Sequence, residues 1–138
     1  MTKEAIYRFI CSHKLAVIAT NSASGQPEAA VVGIAVTPAL EIVFDTINTS
    51  RKYQNIKQNP YVALVIGWHN ETTVQYEGEA VEISGADDDI YRETYYSVYP
   101  DGRQHTASWP GLVHFKVVPK WLRYSNFNQP AVVEEMNF

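Results

Sequence analysis

Cysteine is almost missing from this sequence: Cys11 stands alone among 138 residues. A single thiol excludes an intrachain disulfide and a thiolate metal set, and it fits a reducing compartment, so a cytoplasmic location is expected. Positive charge is scarce as well. Eleven lysines and arginines face fifteen aspartates and glutamates, a formal net charge of −4, and such a balance leaves no basic stripe for a nucleic-acid backbone. One local cluster would still suffice for a small anionic ligand. No apolar run approaches the roughly 20 residues that cross a bilayer. The longest, Tyr61 to Trp68, is far shorter, and Lys3, Glu4 and Arg8 interrupt any secretory signal. The glycine-rich loops GxGxxG and GxxxxGK(S/T) do not occur, which weakens nucleotide readings built on them. With 46% hydrophobic and 19% charged residues, the chain is ordinary enough to fold as one domain over residues 1–138 without staples.

What is present is organised around residues 42–60. Ile42, Val43 and Phe44 suit a buried strand, a polar turn follows, and a short helix is stopped by Pro60. Thr49 or Ser50 is a good N-cap, because its hydroxyl accepts from a backbone N–H two or three residues on. The charge is the oddity. Arg51 and Lys52 occupy the first helical turn, where the macrodipole is already positive and acidic residues are preferred. An anion would relieve that clash, held by free N–H groups, a hydroxyl, a guanidinium and an ammonium. The alternative is two solvated cations tolerating a dipole cost below about 1 kcal/mol.

Elsewhere, Thr2 to Lys14 reads as an amphipathic helix with Ala5, Ile6, Phe9 and Ile10 on one face and Cys11 packed beside it. Strands are expected at Leu15 to Thr20, Glu28 to Val36, Glu41 to Asp45, Tyr61 to Trp68 and Thr73 to Ile83. Gly78 marks a bend or a close backbone approach in the last of these. Asp87, Asp88 and Asp89 open a second helix that runs towards Pro100, and they lack the spaced ligands of a calcium loop. Tyr99 to Gly111 reads as a polar loop. Leu112 to Val118 and Trp121 to Asn126 read as two strands split by Pro119-Lys120, and residues 127–138 as a tail. Seven short strands with three interposed helices point to a mostly antiparallel barrel.

In that frame the chain resembles the pyridoxamine 5′-phosphate oxidase-like family of FMN-binding split barrels. The residues that carry the resemblance are Phe44-Asp45-Thr46, Ser50-Arg51-Lys52, Asn55-Ile56, Asn59-Pro60 and Val62-Ala63-Leu64, followed by Trp68-His69, Gln75 and Glu77-Gly78-Glu79-Ala80. The resemblance implies a mostly β fold, a six-stranded antiparallel split β-barrel with flanking short helices. It also implies a homodimer with FMN at the subunit interface. Arg51 and Lys52 then match positions that bind the FMN phosphate, with Ser50 beside them. Asp45 and Thr46 match a pair lining the phosphate end. Gln75 matches a glutamine that reaches the cofactor from the partner subunit, and Trp121 matches a tryptophan placed against the flavin. The strand from Ala30 to Ala35, with Val31 and Val32, matches the segment whose backbone runs beside the isoalloxazine ring.

The departures bear on the substrate. The family oxidase begins that strand with an arginine and ends it with a substrate-binding lysine, where this chain has Ala30 and Ala35. Its basic C-terminal motif is replaced by Asn126, Asn128 and Gln129. Two cations are hard to spare in gripping a phosphorylated substrate, so oxidation of pyridoxamine phosphate itself is not expected. The leading expectation is a small FMN-dependent oxidoreductase or flavin reductase, with NADH or NADPH as electron donor. The alternative is a non-catalytic module that binds or stores FMN or another planar ligand, or senses stress with it. The deazaflavin F420 ranks behind FMN, since its acidic tail asks for a more basic groove. Flavin carries the redox chemistry, so no catalytic triad is needed. His69, His105 and His114 are candidate proton donors whose ordinary role on a barrel is structural. His69 with Glu71 is a weak metal pair. Trp68 and Trp109 are candidates for stacking on a planar ligand, with packing as their commoner use.

Overall fold

The computed structural model describes residues 1–138, apart from the side chain of Asp87. Its strands are β1 (Leu15–Asn21), β2 (Pro27–Gly33), β3 (Ala35–Val36), β4 (Ile42–Ile47), β5 (Tyr61–Ile66), β6 (Thr72–Glu82), β7 (Leu112–Asn126) and β8 (Val132–Asn137). The helices are α1 (Lys3–Cys11), α2 (Arg51–Gln58), α3 (Asp89–Val98) and α4 (Gly102–Ser108). All strand pairs are antiparallel, in the order β2-β1-β5-β6-β7-β4-β3, with β8 added along β7. The sheet curls into a split barrel. Two strands exceed the six expected, because residues 35–36 form a separate short strand and the C-terminal residues add another.

Alternation along β1 shows which face of the curled sheet forms the core. Ala16, Ile18 and Thr20 are buried while Leu15, Val17 and Ala19 face outward. The inward residues join Ile42, Phe44, Leu64, Tyr76, Phe115 and Leu122 in the main core, which α1 closes with Ile6 and Ile10. A second, smaller core lies on the other face of β4, where Val43 packs with Ala35, Ile83, Tyr95 and Tyr96 under α3. The buried Tyr76 hydroxyl donates to the carbonyls of Leu40 (2.7 Å) and Val117 (3.0 Å). That clamp holds the entry to β4, where Leu40 adopts φ 66°, a left-handed conformation that costs about 1–2 kcal/mol for a residue with a Cβ.

The expected caps are in place. Thr2 Oγ1 accepts from Ala5 N at 3.1 Å and Ser50 Oγ from Tyr53 N at 3.2 Å. Other expectations need correction. Cys11 is exposed at the end of α1 rather than packed. Residues 112–126 form one strand, not two, because a register shift between Glu77 and Gly78 lets Pro119 sit opposite Gly78. Gly78 also shows the close approach read from sequence, since a Cβ there would collide with the Val118 carbonyl. The residues expected as a loop after Tyr99 contain α4. Its Gly102 packs on the Tyr96 ring, and the Tyr96 hydroxyl lies 2.8 Å from Thr106 Oγ1, so tertiary contact builds this helix. The expected tail contains β8, with Leu122 opposite Met136. Among the described residues no helix is long and apolar enough to cross a membrane.

Candidate functional site

The helix start singled out by its charge has the geometry of an anion cradle. Ser50 is extended (φ −72°, ψ 156°), which turns the first N–H groups of α2 outward, where no intrahelical carbonyl can reach them. Thr46 sits at the end of the core-facing row of β4, with its hydroxyl 2.8 Å from Ser50 Oγ. Lys52 Nζ donates to the same Thr46 oxygen at 3.3 Å. Burial lowers the Lys52 pKa and Asp45 partly offsets this, so an arriving anion would stabilise an ammonium that is short of solvation. Beside Arg51 and Lys52 lies a recess of about 40 Å³, walled by Ile18, Thr20, Glu28, Ala29 and Ala30. Only a small group such as a single phosphate fits there.

Glu28 was not singled out by the sequence reading, yet it borders the same recess. Its Oε1 accepts from the buried Asn55 Nδ2 at 2.8 Å and lies 3.3 Å from Arg51 Nε. Asn55 also donates to Thr20 Oγ1 at 2.9 Å. The sequence signal was the polar Asn55 on the inner side of a short helix, since a buried amide must find partners. The cradle therefore sets two cations, two hydroxyls and a helix N-terminus against one carboxylate. That donor set fits a phosphate.

Asp45 points the other way. Thr46 faces the barrel, while Asp45 follows Val43 onto the face covered by α3 and α4. There it lines a cavity of about 380 Å³ with Lys14, Tyr95, Tyr99, Asp101, His105 and Trp109. Asp45 stands opposite His114 on β7. His114 is 3% exposed, edge-on to Tyr95 and Tyr96, and its Nε2 has no hydrogen-bond partner among the described residues. Burial lowers its pKa, with Asp45 opposing and Arg92 reinforcing that shift. Burial and the Asp45 carboxylate push the Tyr95 hydroxyl far above its ordinary range.

Gln75 and Trp121 are not brought to the cradle within one chain. They line a separate cavity of about 340 Å³ with Val17, Ala19 and Val65. That is the outward row of β1, whereas the cradle adjoins the inward Ile18 and Thr20. Trp121 is held there by Glu135 of β8, which accepts from its Nε1 at 3.3 Å, and by the Arg123 guanidinium over its ring. Val31 is exposed on the outward row and Val32 buried on the inward one, so one strand segment serves both faces. Trp68 and His69 are exposed in a turn. Among the described residues no three His, Cys, Asp or Glu side chains gather to hold a metal.

Four likenesses accompany this geometry. Residues 2–126 match the family model described as "Pyridoxamine 5'-phosphate oxidase". The pyridoxine/pyridoxamine 5′-phosphate oxidase of Haemophilus influenzae is 37% identical over 93 residues, which cover 67% of this chain and 44% of that protein. The chain thus matches less than half the length of this curated relative. Among solved structures, a haem-binding protein from Mycobacterium smegmatis superposes with a TM-score of 0.82 at 12% identity, covering 99% of this chain and 58% of that one. An FMN-binding protein from Nostoc punctiforme, described as related to pyridoxamine 5′-phosphate oxidase, gives 0.67 at 12% identity, covering 99% and 92%. At these identities the structural likenesses show the fold.

Proposed function

The chain belongs to the pyridoxamine 5′-phosphate oxidase family, and from that premise we propose that it is an FMN-binding flavoprotein acting as a small oxidoreductase or flavin reductase. The observation that carries this reading is the meeting of Thr46 Oγ1, Ser50 Oγ and Lys52 Nζ at the start of α2, with Arg51 alongside. Ser50 and Thr46 offer hydroxyls to phosphate oxygens, Lys52 supplies a partly desolvated charge, and Arg51 closes the outer side. Bound FMN would supply two-electron exchange through its isoalloxazine ring. The protein's part is to anchor, orient and tune it.

The placement of Gln75 and Trp121 supports a homodimer with FMN at the interface. They lie on the face of the sheet opposite the cradle, so one flavin meets both sets when the second comes from a partner copy. The exposed apolar side chains Leu15, Tyr61, Val65 and Val81 on β1, β5 and β6 support that pairing. The substrate differs from a vitamin B6 phosphate. Ala30 borders the cradle recess and Ala35 is buried in the second core, so neither place offers a cation.

The decisive experiment is the visible spectrum of protein purified from cells, followed by anaerobic addition of NADPH or NADH. A flavin spectrum, FMN released on denaturation, and bleaching on the timescale of seconds are expected. Retention of FMN without bleaching by either donor would reassign the protein as a flavin carrier or sensor. A colourless protein with no affinity for added FMN would overturn the flavin reading.

A further inference from the structure

We propose that the cavity behind β4 is a second small-molecule site, separate from the cradle, and that it selects a planar aromatic cation. Its volume of about 380 Å³ lies within the roughly 300–1,000 Å³ of small-molecule sites. Its walls are aromatic. Tyr95 and Tyr99 stack with centroids 5.0 Å apart, and His105 lies flat on Trp109 at 3.9 Å and 9°. Trp109 remains 49% exposed at the mouth, which leaves indole surface free for a planar guest. Gly33 makes room for this wall, since a Cβ there would stand 2.7 Å from the Tyr99 hydroxyl. That hydroxyl donates to the Lys14 carbonyl and fixes the ring.

The polar groups decide the charge of the guest. Asp45 and Asp101 line the cavity, and Lys14 is its only cationic side chain among the described residues. The Lys14 ammonium lies 5.9 Å above the Tyr99 ring. The nearby arginines are committed elsewhere, Arg92 to Asp89 (2.8 Å) and Arg103 to Glu93 (2.7 Å). Nothing in the cavity can fork onto a phosphate or carboxylate, whereas a carboxylate beside aromatic faces suits a cationic ring. The site stands apart from the cradle. Asp45 and Thr46 are consecutive residues that face opposite sides of β4, and the two recesses have no lining residue in common.

Three probes built on the same pyridine ring vary the charge: 1-methylnicotinamide (cation), nicotinamide (neutral) and nicotinate (anion). Each is titrated by calorimetry into the purified protein, with FMN retention measured on the same preparation. The expected order is cation, then neutral, then anion, with the cation at least tenfold tighter than nicotinate. Asp45→Asn should collapse that preference to about threefold or less, and Trp109→Ala should weaken the cation and the neutral probe alike. A thermal melt of each variant checks folding, and Asp101→Asn repeats the charge test should Asp45→Asn fail to fold. Equal affinities, or tightest binding of nicotinate, overturn the proposal. So does a preference untouched in both aspartate variants. Cation preference in protein that cannot bind FMN would remove the flavin reading and leave this proposal standing. FMN retention without cation preference would remove this proposal alone.

Discussion

Thr46 and Asp45 are neighbours on β4, yet the surroundings they face are chemical opposites. The Thr46 side holds two hydroxyls, a helix N-terminus and Lys52, with a recess of about 40 Å³ beside Lys52 and Arg51. The Asp45 side holds two tyrosines, a stacked tryptophan and carboxylates around about 380 Å³. The pleat makes this possible, because successive side chains on a strand point to opposite faces. A single strand end thus carries a small anion site and a larger aromatic, acidic site without mixing their charges. On the proposed reading, phosphate affinity belongs to the first, and the second takes a group that is not phosphorylated.

The sharpest way to break this contrast is to empty the cradle of charge. Charge-assisted hydrogen bonds contribute about 1.5–3 kcal/mol each, so replacing both Arg51 and Lys52 with Ala should weaken FMN binding by roughly 10²–10⁴-fold. The larger cavity should keep its order of preference among the charged and neutral probes. Fluorescence titration with FMN measures the loss. Affinity within a few-fold of the parent would mean that the flavin phosphate sits elsewhere.

The cradle was legible in the sequence, and the cavity was not. Ser50, Arg51 and Lys52 are adjacent in the chain, so local helix physics was enough to mark them. The cavity gathers Lys14 from the segment just before β1, Asp45 from β4, Tyr95 from α3, Tyr99 from its C-terminal cap, and Trp109 from beyond α4. Only the tertiary fold brings them together, and α4 itself depends on Gly102 and Thr106 packing against Tyr96. The barrel was readable because its strands alternate, as β6 does from Thr72 to Glu82. The continuity of β7 through Pro119 was hidden, since it depends on a bulge at Lys120, which lets the strand keep its pairing with β6 on both sides of the proline. Glu28 was overlooked for a related reason. Its partners Asn55 and Arg51 are distant in sequence, and only the β1–β2 hairpin brings it beneath α2.

A second test asks which side of β4 is acid-sensitive. Burial depresses the pKa of His114 below the ordinary value of about 6.5. The folded state holds this imidazole neutral while the unfolded chain takes up a proton sooner. Stability therefore rises with pH between the depressed native pKa and about 6.5, is unaffected above it, and falls on acidification below it. Each unit of depression corresponds to about 1.4 kcal/mol at most. Replacing His114 with Phe, which keeps an aromatic ring against Tyr95 and Tyr96, should reduce the drop in Tm between pH 7.5 and 5. Parallel melting curves for parent and variant across that range would show that His114 does not titrate on unfolding.

The smallest expected effect lies in the cradle itself, where Glu28 is the one group that opposes an anion. Its Oε1 is fixed by Asn55 and shared with Arg51, so phosphate must draw the guanidinium away from a carboxylate that stays behind. Glu28→Gln removes the charge but keeps an oxygen to accept from Asn55, so the network geometry survives. The Arg51 side chain is 75% exposed, which screens the pair and limits the gain to about 1 kcal/mol. FMN should then bind roughly three- to tenfold more tightly, with less salt dependence of the Arg51 contribution. Weaker binding in this variant would assign Glu28 the opposite role, holding Arg51 in position for the phosphate. Combining Glu28→Gln with Arg51→Ala separates the two roles. A competitor acts partly through Arg51 and partly on the phosphate directly, so some tightening persists without the guanidinium, whereas a positioning carboxylate has no effect once Arg51 is gone.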